Sequence, residues 1–446
     1  MPINDFMTER LHQDKRLLLL AAPMILANIT TPLLGMVDTA VLGHLPSVEA
    51  LAGASIGALV ITQIYWVCGF LRMSITGLSA QQKGAKSYSA PDYAKPLLQG
   101  AVLALVIGAL IILVHPWVIN TTQNVAQTTG LTHQFVADYI SIRACGAPAA
   151  LLNLVVIGWL IGQQMTRKVL LLQVVGNLLN IVLSVTFVWG FNWGVIGVAA
   201  ATVVAEAFMA VVGFVWACRE LTLNTARTSW FAWSSMAHMF SLNAAMFIRN
   251  LMLQLCLAFI TFQGARLGAK TAAVNAILMQ FFVLISLGLD GIAYAVEALI
   301  GEAKGQKSHS RIAKFTRKGL VWSSLFAVAY SLFFWVAAEF IVSLLTNKAE
   351  LQEATAPFLI LMVVLPLIAH WCFLFDGVFI GLSQANAMRN TMTISALGVF
   401  FPIWWLTVEY QNWALWLAFL AFLAVLAFLF CLAFLFFFGF SSDLSG

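Results

Sequence analysis

The sequence predicts an all-α integral membrane protein with twelve transmembrane helices in two pseudo-symmetric six-helix lobes. Three observations predict it. Of 446 residues, 61% are hydrophobic and only 9% charged, against about 25% charged in a soluble domain, and the mean hydropathy is +0.92. Apolar stretches near the length of about 20 residues that crosses bilayer hydrocarbon recur along the whole chain and leave no long stretch for a soluble domain. Short motifs also repeat at half the chain length.

The first stretch, 17–42, follows a charged leader, "MTERLHQDKR". It is too long for the h-region of a signal peptide and contains Pro23, Pro32 and Asp38, so it reads as a retained helix. Stretches 51–80 and 97–119 follow, the former containing Arg72. The fourth, 134–162, holds Arg143 and Pro148 and ends in "GWLIG". The fifth, 169–190, carries Asn177, Asn180 and Ser184, and the sixth, 195–217, carries Thr202 and Glu206. A cytoplasmic linker is expected over 218–236. The second half comprises 237–263 with Arg249, 271–300 with Asp290 and Glu297, 319–345, 355–382 with Pro366 and Asp376, 391–408 and 413–440. The expected organisation is therefore an N-terminal lobe over 1–217, the linker, and a C-terminal lobe over 237–446.

Charge follows the same alternation. With the N-terminus inside, seventeen of the 23 Lys and Arg fall in inner connections, and only Arg266, Lys270 and Lys348 in outer ones. This positive-inside bias places both termini in the cytoplasm and accounts for the net charge of +5 without a nucleic-acid partner. The six cysteines lie in spans or at their ends, which suits packing rather than a disulfide framework.

"AQQKGAKS" (80–87) and "GEAKGQKS" (301–308) match at Lys83, Gly84, Lys86 and Ser87 against Lys304, Gly305, Lys307 and Ser308, an offset of 221. "GWLIG" (158–162) and "GVFIG" (377–381) echo each other at an offset of 219. Six crossings return a chain to the side where it began, so the two halves share one orientation.

Beyond these patterns, "PMILANITTPLLGMVDTAVLGHL", "MSITGLSAQQKGAKS", "GNLLNIVLSV" and "LDGIAYAVEALIGEAKG" resemble the multidrug and toxic compound extrusion (MATE) transporters, in particular their DinF-like bacterial branch. The resemblance covers nearly the whole chain. It implies cation-coupled export of amphipathic, often cationic compounds by alternating access of two six-helix lobes, from a bacterial inner membrane. Small amphipathic molecules and the lipid bilayer are the expected partners, the chain is expected to be a monomer, and no cofactor or metal is expected beyond H+, or alternatively Na+, as coupling ion.

Asp38 lies four residues before the outer end of helix one, about 6 Å below it. A carboxylate within a span costs about 2.5–3.5 kcal/mol on insertion scales. One reading is a structural hydrogen bond or snorkelling toward the interface. The other is a proton site, because a carboxyl in apolar surroundings can load and release a proton near physiological pH; the resemblance implies an essential carboxylate here. Asn177, Asn180 and Ser184 follow helical spacing and share one face as partners. The resemblance implies a second aspartate where this chain has Ser184, so a proton shared between two carboxylates is not expected. It also implies pocket roles for Asn153 and Thr202, with Tyr139 lining the same lobe; an interhelical contact is the competing reading for each. Pro23 and Pro32 remove backbone donors, giving either a fixed kink or a hinge that bends helix one when Asp38 is protonated.

Arg249, Asp290, Glu297 and Asp376 form the ionisable set of the second half. An ion pair of Arg249 with Asp290 or Asp376 would neutralise buried charge; a sodium site of clustered carboxylates is the alternative. Arg143 and Glu206 are placed to pair in the first half. No metal or haem spacing and no P-loop is present. The rival functions are a Na+-coupled exporter, a lipid-linked precursor flippase and, in a different class, an intramembrane enzyme using Asp290, Asp376 or His370. The 15 Trp and 34 Phe suit cation–π contact, helix packing or interfacial anchoring, and "FLFCLAFLFFFGF" near the C-terminus is expected to face lipid.

Overall fold

All twelve expected stretches are helical in the computed structural model, which describes residues 3–45, 47–85, 90–221 and 228–442. Five spans are single helices in the first half or across its end: α1 (Ile3–Gly43), α4 (Ala90–Val125), α7 (Thr166–Val185), α8 (Gly194–Arg219) and α9 (Trp233–Arg266). Two more pair α2 (Val48–Val67) with α3 (Phe70–Gly84), and α5 (Gly130–Cys145) with α6 (Ala147–Gly162). The α5–α6 span bends by 49° at Gly146, where Pro148 in the first turn of α6 lacks an N–H. The remainder are α10 (Ala269–Gly305), α11 (His309–Leu345), α12 (Ala349–Thr355) with α13 (Leu359–Gly381), α14 (Ala385–Ser395) with α15 (Phe401–Leu406), and α16 (Asn412–Ser442). A π-helical turn, Ala396–Phe400, interrupts the eleventh span, and another, Thr186–Gly190, ends α7. Lys86 and Ser87 of the first echo and residues 222–227 of the expected linker lie outside the described residues.

The chain divides into two compact units, Leu26–Phe240 and Met1–Ile25 with Ser241–Gly446. This differs from the expected 1–217 and 237–446 lobes chiefly in helix one, whose first part belongs with the second half. Charge and close packing are the reason. Arg16 pairs with Glu302 of α10 at 2.5 Å and Asp14 with Lys318 of α11 at 2.7 Å, while Ile25 lies against Gly291, where a Cβ would meet its backbone N at 3.0 Å. The described end of the expected linker packs on α4: Gln99 Nε2 donates to the Trp230 carbonyl at 2.6 Å and to Ser235 Oγ at 3.1 Å.

The sequence echoes mark one packing device made twice. In the first unit, a Cβ on Gly158 would meet the Arg72 carbonyl oxygen at 2.5 Å, and one on Gly162 would meet the carbonyl oxygen of Thr76 and the backbone N of Ala80 at 2.7 and 2.9 Å. In the second, a Cβ on Gly377 would meet the Ala293 carbonyl oxygen at 2.7 Å, and one on Gly381 would meet the carbonyl oxygen of Glu297 and the backbone N of Gly301 at 2.7 and 3.0 Å. Every contacted position is displaced by the same 221 residues as the lysine motif. Without a side chain, the glycines let α6 lie directly on α3, and α13 on α10, where dispersion replaces the absent hydrophobic drive. Each glycine helix then ends alike. Gln164 and Ser383 adopt positive φ of 61° and 50°, and Lys83 Nζ donates to the Gln163 carbonyl at 2.6 Å as Lys304 Nζ does to that of Leu382. A cation thus closes orphan carbonyls at both helix C-termini.

The C-terminal aromatic run is not uniformly lipid-facing. Phe428 and Phe436 are exposed, but Phe430 is fully buried and stacks on Phe379 with centroids 5.3 Å apart. A helix between lipid and protein has two faces, and an all-apolar sequence does not mark which is which. Gly162→Ala and Gly381→Ala are each expected to destabilise the fold by about 1–3 kcal/mol through overpacking against backbone. Gly35→Ala, whose added Cβ meets nothing within 4 Å, serves as the reference. Detergent melting curves check this, and equal midpoints for all three variants would overturn it.

Candidate functional site

The three polar residues of α7 share a face, and the fold divides that face between two neighbours. Asn177 Nδ2 donates to Thr30 Oγ1 of α1 at 2.9 Å, and Thr30 Oγ1 donates to the Ala27 carbonyl at 2.7 Å. Two turns along α1, Asp38 Oδ1 faces Ser184 Oγ at 3.3 Å. Between them Asn180 turns toward α8, with Nδ2 donating to Thr202 Oγ1 at 3.0 Å. Ser184 Oγ also lies 3.1 Å from Asn180 Oδ1, and Thr202 Oγ1 donates to the Val198 carbonyl at 3.0 Å. Asn180 and Ser184 are buried and Asp38 is half-buried. Thus α1, α7 and α8 are joined by one polar chain that includes a carboxylate.

An apolar cap surrounds the Asp38 end of this chain. Val41 and Leu42, one turn beyond Asp38, belong to a buried cluster with Ala50, Ala54, Tyr139, Val188 and Val198. Tyr139 is in this cluster and within electrostatic range of Asp38. Arg143, one turn further along α5, is likewise within electrostatic range of Asp38. Its guanidinium holds Glu206 of α8 through two hydrogen bonds, Nη1 to Oε2 at 2.7 Å and Nη2 to Oε1 at 2.9 Å. It also lies 5.3 Å above the Tyr65 ring, whose hydroxyl donates to the Arg143 carbonyl at 2.7 Å. The planar fork satisfies both carboxylate oxygens, which favours arginine over lysine at this place. Asn153 is on α6, half-buried, with a buried Oδ1 that makes no hydrogen bond.

Thr30 and Tyr65 escaped the sequence reading. Thr30 precedes Asp38 by two helical turns within an apolar run, a spacing that would have placed both on the same face. Nothing in the sequence pairs Tyr65 with Arg143. Pro23 and Pro32 lie within α1, which runs helical through both; they flank the place, Ile25–Leu26, where the helix passes from one unit to the other.

In the second unit Arg249 Nη2 pairs with Asp376 Oδ2, and its Nη1 donates to Asn250 Oδ1 at 2.8 Å. Asp290, half-buried, and Glu297, buried, lie on α10, two turns apart. His370 Nδ1 lies 3.2 Å from Ser323 Oγ. Among the described residues no group of three or more His, Cys, Asp or Glu is placed to hold a metal ion.

The MatE family model matches residues 23–186 and 245–406. DNA damage-inducible protein F of Escherichia coli is 41% identical over 415 residues, covering 92% of this chain and 89% of that protein. The probable multidrug resistance protein NorM of Bacillus anthracis is 21% identical, covering 90% and 89%. A crystal structure of MATE in the bent conformation superposes with a TM-score of 0.85 at 18% identity, covering 94% of both chains. With its two matched halves, its all-helical spans and its extended identity to DNA damage-inducible protein F, this multi-pass membrane protein belongs to the MATE transporter family, in the DinF-like branch.

Proposed function

We propose that the chain is a proton-coupled multidrug antiporter, exporting amphipathic, often cationic compounds by alternating access. The observation that carries this reading is the Asp38 carboxylate at the head of the polar chain through Ser184, Asn180 and Thr202. Its two protonation states demand different hydrogen bonds from the same neighbours. Arg143 and Arg249 are each held by a carboxylate, Glu206 and Asp376, whereas Asp38 has the Ser184 hydroxyl at hydrogen-bond distance. The multidrug names borne by relatives support the substrate class.

In the proposed cycle, protonation of Asp38 changes its bonding to α7, helix one bends near Pro23 and Pro32, and the pocket of the N-terminal lobe contracts and displaces drug outward. The proton then leaves inward. Asn153, Asn177, Asn180, Ser184, Thr202 and Tyr139 are proposed to shape the pocket and the coupling network. The protein is proposed to act as a monomer in the bacterial inner membrane with both termini cytoplasmic. Sodium coupling through Asp290, Glu297 and Asp376 is less favoured because Arg249 already occupies Asp376.

Proteoliposomes loaded with ethidium separate the couplings. Transport is expected to follow an imposed pH gradient and to ignore a sodium gradient; the reverse would replace H+ with Na+. Asp38→Asn is expected to abolish coupled efflux while leaving the melting temperature near that of the parent, and parental transport by this variant would remove Asp38 from the mechanism. Pro23→Ala restores a backbone donor and is expected to slow turnover by about ten-fold with insertion unchanged, on the scale of one backbone hydrogen bond. Unaltered efflux kinetics would make Pro23 a packing residue only.

A further inference from the structure

The repeat extends into α4 and α11, and there the two units part. Gly100 of α4 and Gly319 of α11 occupy matched places: a Cβ on the first would meet Ile75 and Val155, and one on the second Val296 and Leu374. At the offset of 219 that relates these two glycines, Arg311, Lys314 and Arg317 of α11 stand where α4 carries Asp92, Lys95 and Leu98. The start of α4 thus bears no net charge over these three places, and that of α11 bears three cations. A span can therefore take this orientation without such a ladder.

The three cations continue the face that α11 turns away from its own unit. Val321, Leu325, Val328, Leu332 and Val336 are exposed and recur at three- and four-residue steps, an apolar row suited to hydrocarbon. Followed toward the helix start, the same row reaches Arg317, Lys314 and Arg311, all exposed. They are spaced about 4.5 Å apart along the axis, beginning one turn beyond the last apolar residue of the row. The carboxylates described beside this end are taken by other cations, Asp14 by Lys318 at 2.7 Å and Glu302 by Arg16 at 2.5 Å. Arg311 donates to the uncharged Gln306, and Arg317 has no hydrogen-bond or ion-pair partner among the described residues. Trp322, at the boundary, donates from Nε1 to Asp14 Oδ1 at 3.3 Å.

We propose that Arg311, Lys314 and Arg317 form a headgroup site for an anionic phospholipid, whose acyl chains lie along the apolar row and whose phosphate Arg317 grips. Charge and depth both select this occupant. Cations set where a lipid-exposed face leaves the hydrocarbon meet phosphate oxygens, and a planar guanidinium binds two of them at once. A zwitterionic lipid brings its own ammonium group against the same cations, whereas phosphatidylglycerol brings only negative charge. A free phosphate would gain the charge contact but leave the apolar row unused. The site stands independently of the proton-coupled reading, because none of its residues belongs to the Asp38 network.

Lipid retention by the purified full-length chain tests this. In native mass spectrometry from detergent, the parent is expected to hold phosphatidylglycerol about ten-fold or more tightly than phosphatidylcholine. Each cation near an anionic lipid is worth about five-fold, so Arg317→Gln should weaken phosphatidylglycerol about five-fold and the double variant with Lys314→Gln about 25-fold. Arg317→Lys, which keeps the charge and loses the fork, should recover most of the single loss. Lys348→Gln, exposed and outside the ladder, should bind as the parent does; an equal loss there would make the effect one of net charge and overturn the site. Equal retention of the two lipids by the parent, or parental retention by the folded double variant, also overturns it. Melting curves establish folding, and should the double variant fail to fold, Arg317→Gln against Arg317→Lys decides alone. Displacement of phosphatidylglycerol by millimolar inorganic phosphate would reveal a free-anion site and overturn the lipid as occupant.

Discussion

Within the hydrocarbon there is no water to complete a hydrogen bond, so each polar group in a span must be satisfied by another part of the protein. Much of the described architecture follows from that constraint. Helix ends are closed by lysines where carbonyls would be left open, at Gln163 and Leu382. Two span arginines are matched by carboxylates on other helices, Arg143 by Glu206 and Arg249 by Asp376. Asn177, Asn180 and Ser184 of α7 find partners on α1 and α8.

The same constraint distinguishes two kinds of intramembrane charge. A guanidinium locked to a carboxylate is a neutral unit, and removing one partner strands the other. Asp38 is different in kind, since its nearest hydrogen-bonding neighbour is a hydroxyl able to donate or accept. Such a partner can bond both the ionised and the neutral acid, whereas a guanidinium donates only and has no lone pair to offer a protonated one. The contrast separates helix-fixing charge from charge suited to a cycle.

Duplication has been used unevenly. The glycine contacts and the lysine caps recur at matched positions in both units, because close helix packing is needed wherever six spans assemble. The carboxylate site does not recur. At the offset of 221 that relates the packing contacts, Asp38 corresponds to Phe259, whose ring stands edge-on to Phe400, Phe401 and Trp404 at 4.7–5.8 Å. Where the first unit has a polar chain that can change, the second has interlocked aromatic rings.

The sequence by itself determined the membrane environment, the twelve spans and the repeat, because apolar length and a constant offset are properties of the chain alone. It also marked Asp38 and the common face of Asn177, Asn180 and Ser184, since a carboxylate in an apolar run and helical spacing require no tertiary knowledge. Only the tertiary structure decided that Asn180 turns to α8 while its neighbours turn to α1, that Asp376 takes Arg249 Nη2, and that the start of helix one packs with the second half. Those outcomes depend on which helices are adjacent and how each is rotated about its axis. A span that is apolar on every face carries no periodic signal for that rotation, so it emerges only when close-packed glycines and paired charges bring specific helices together.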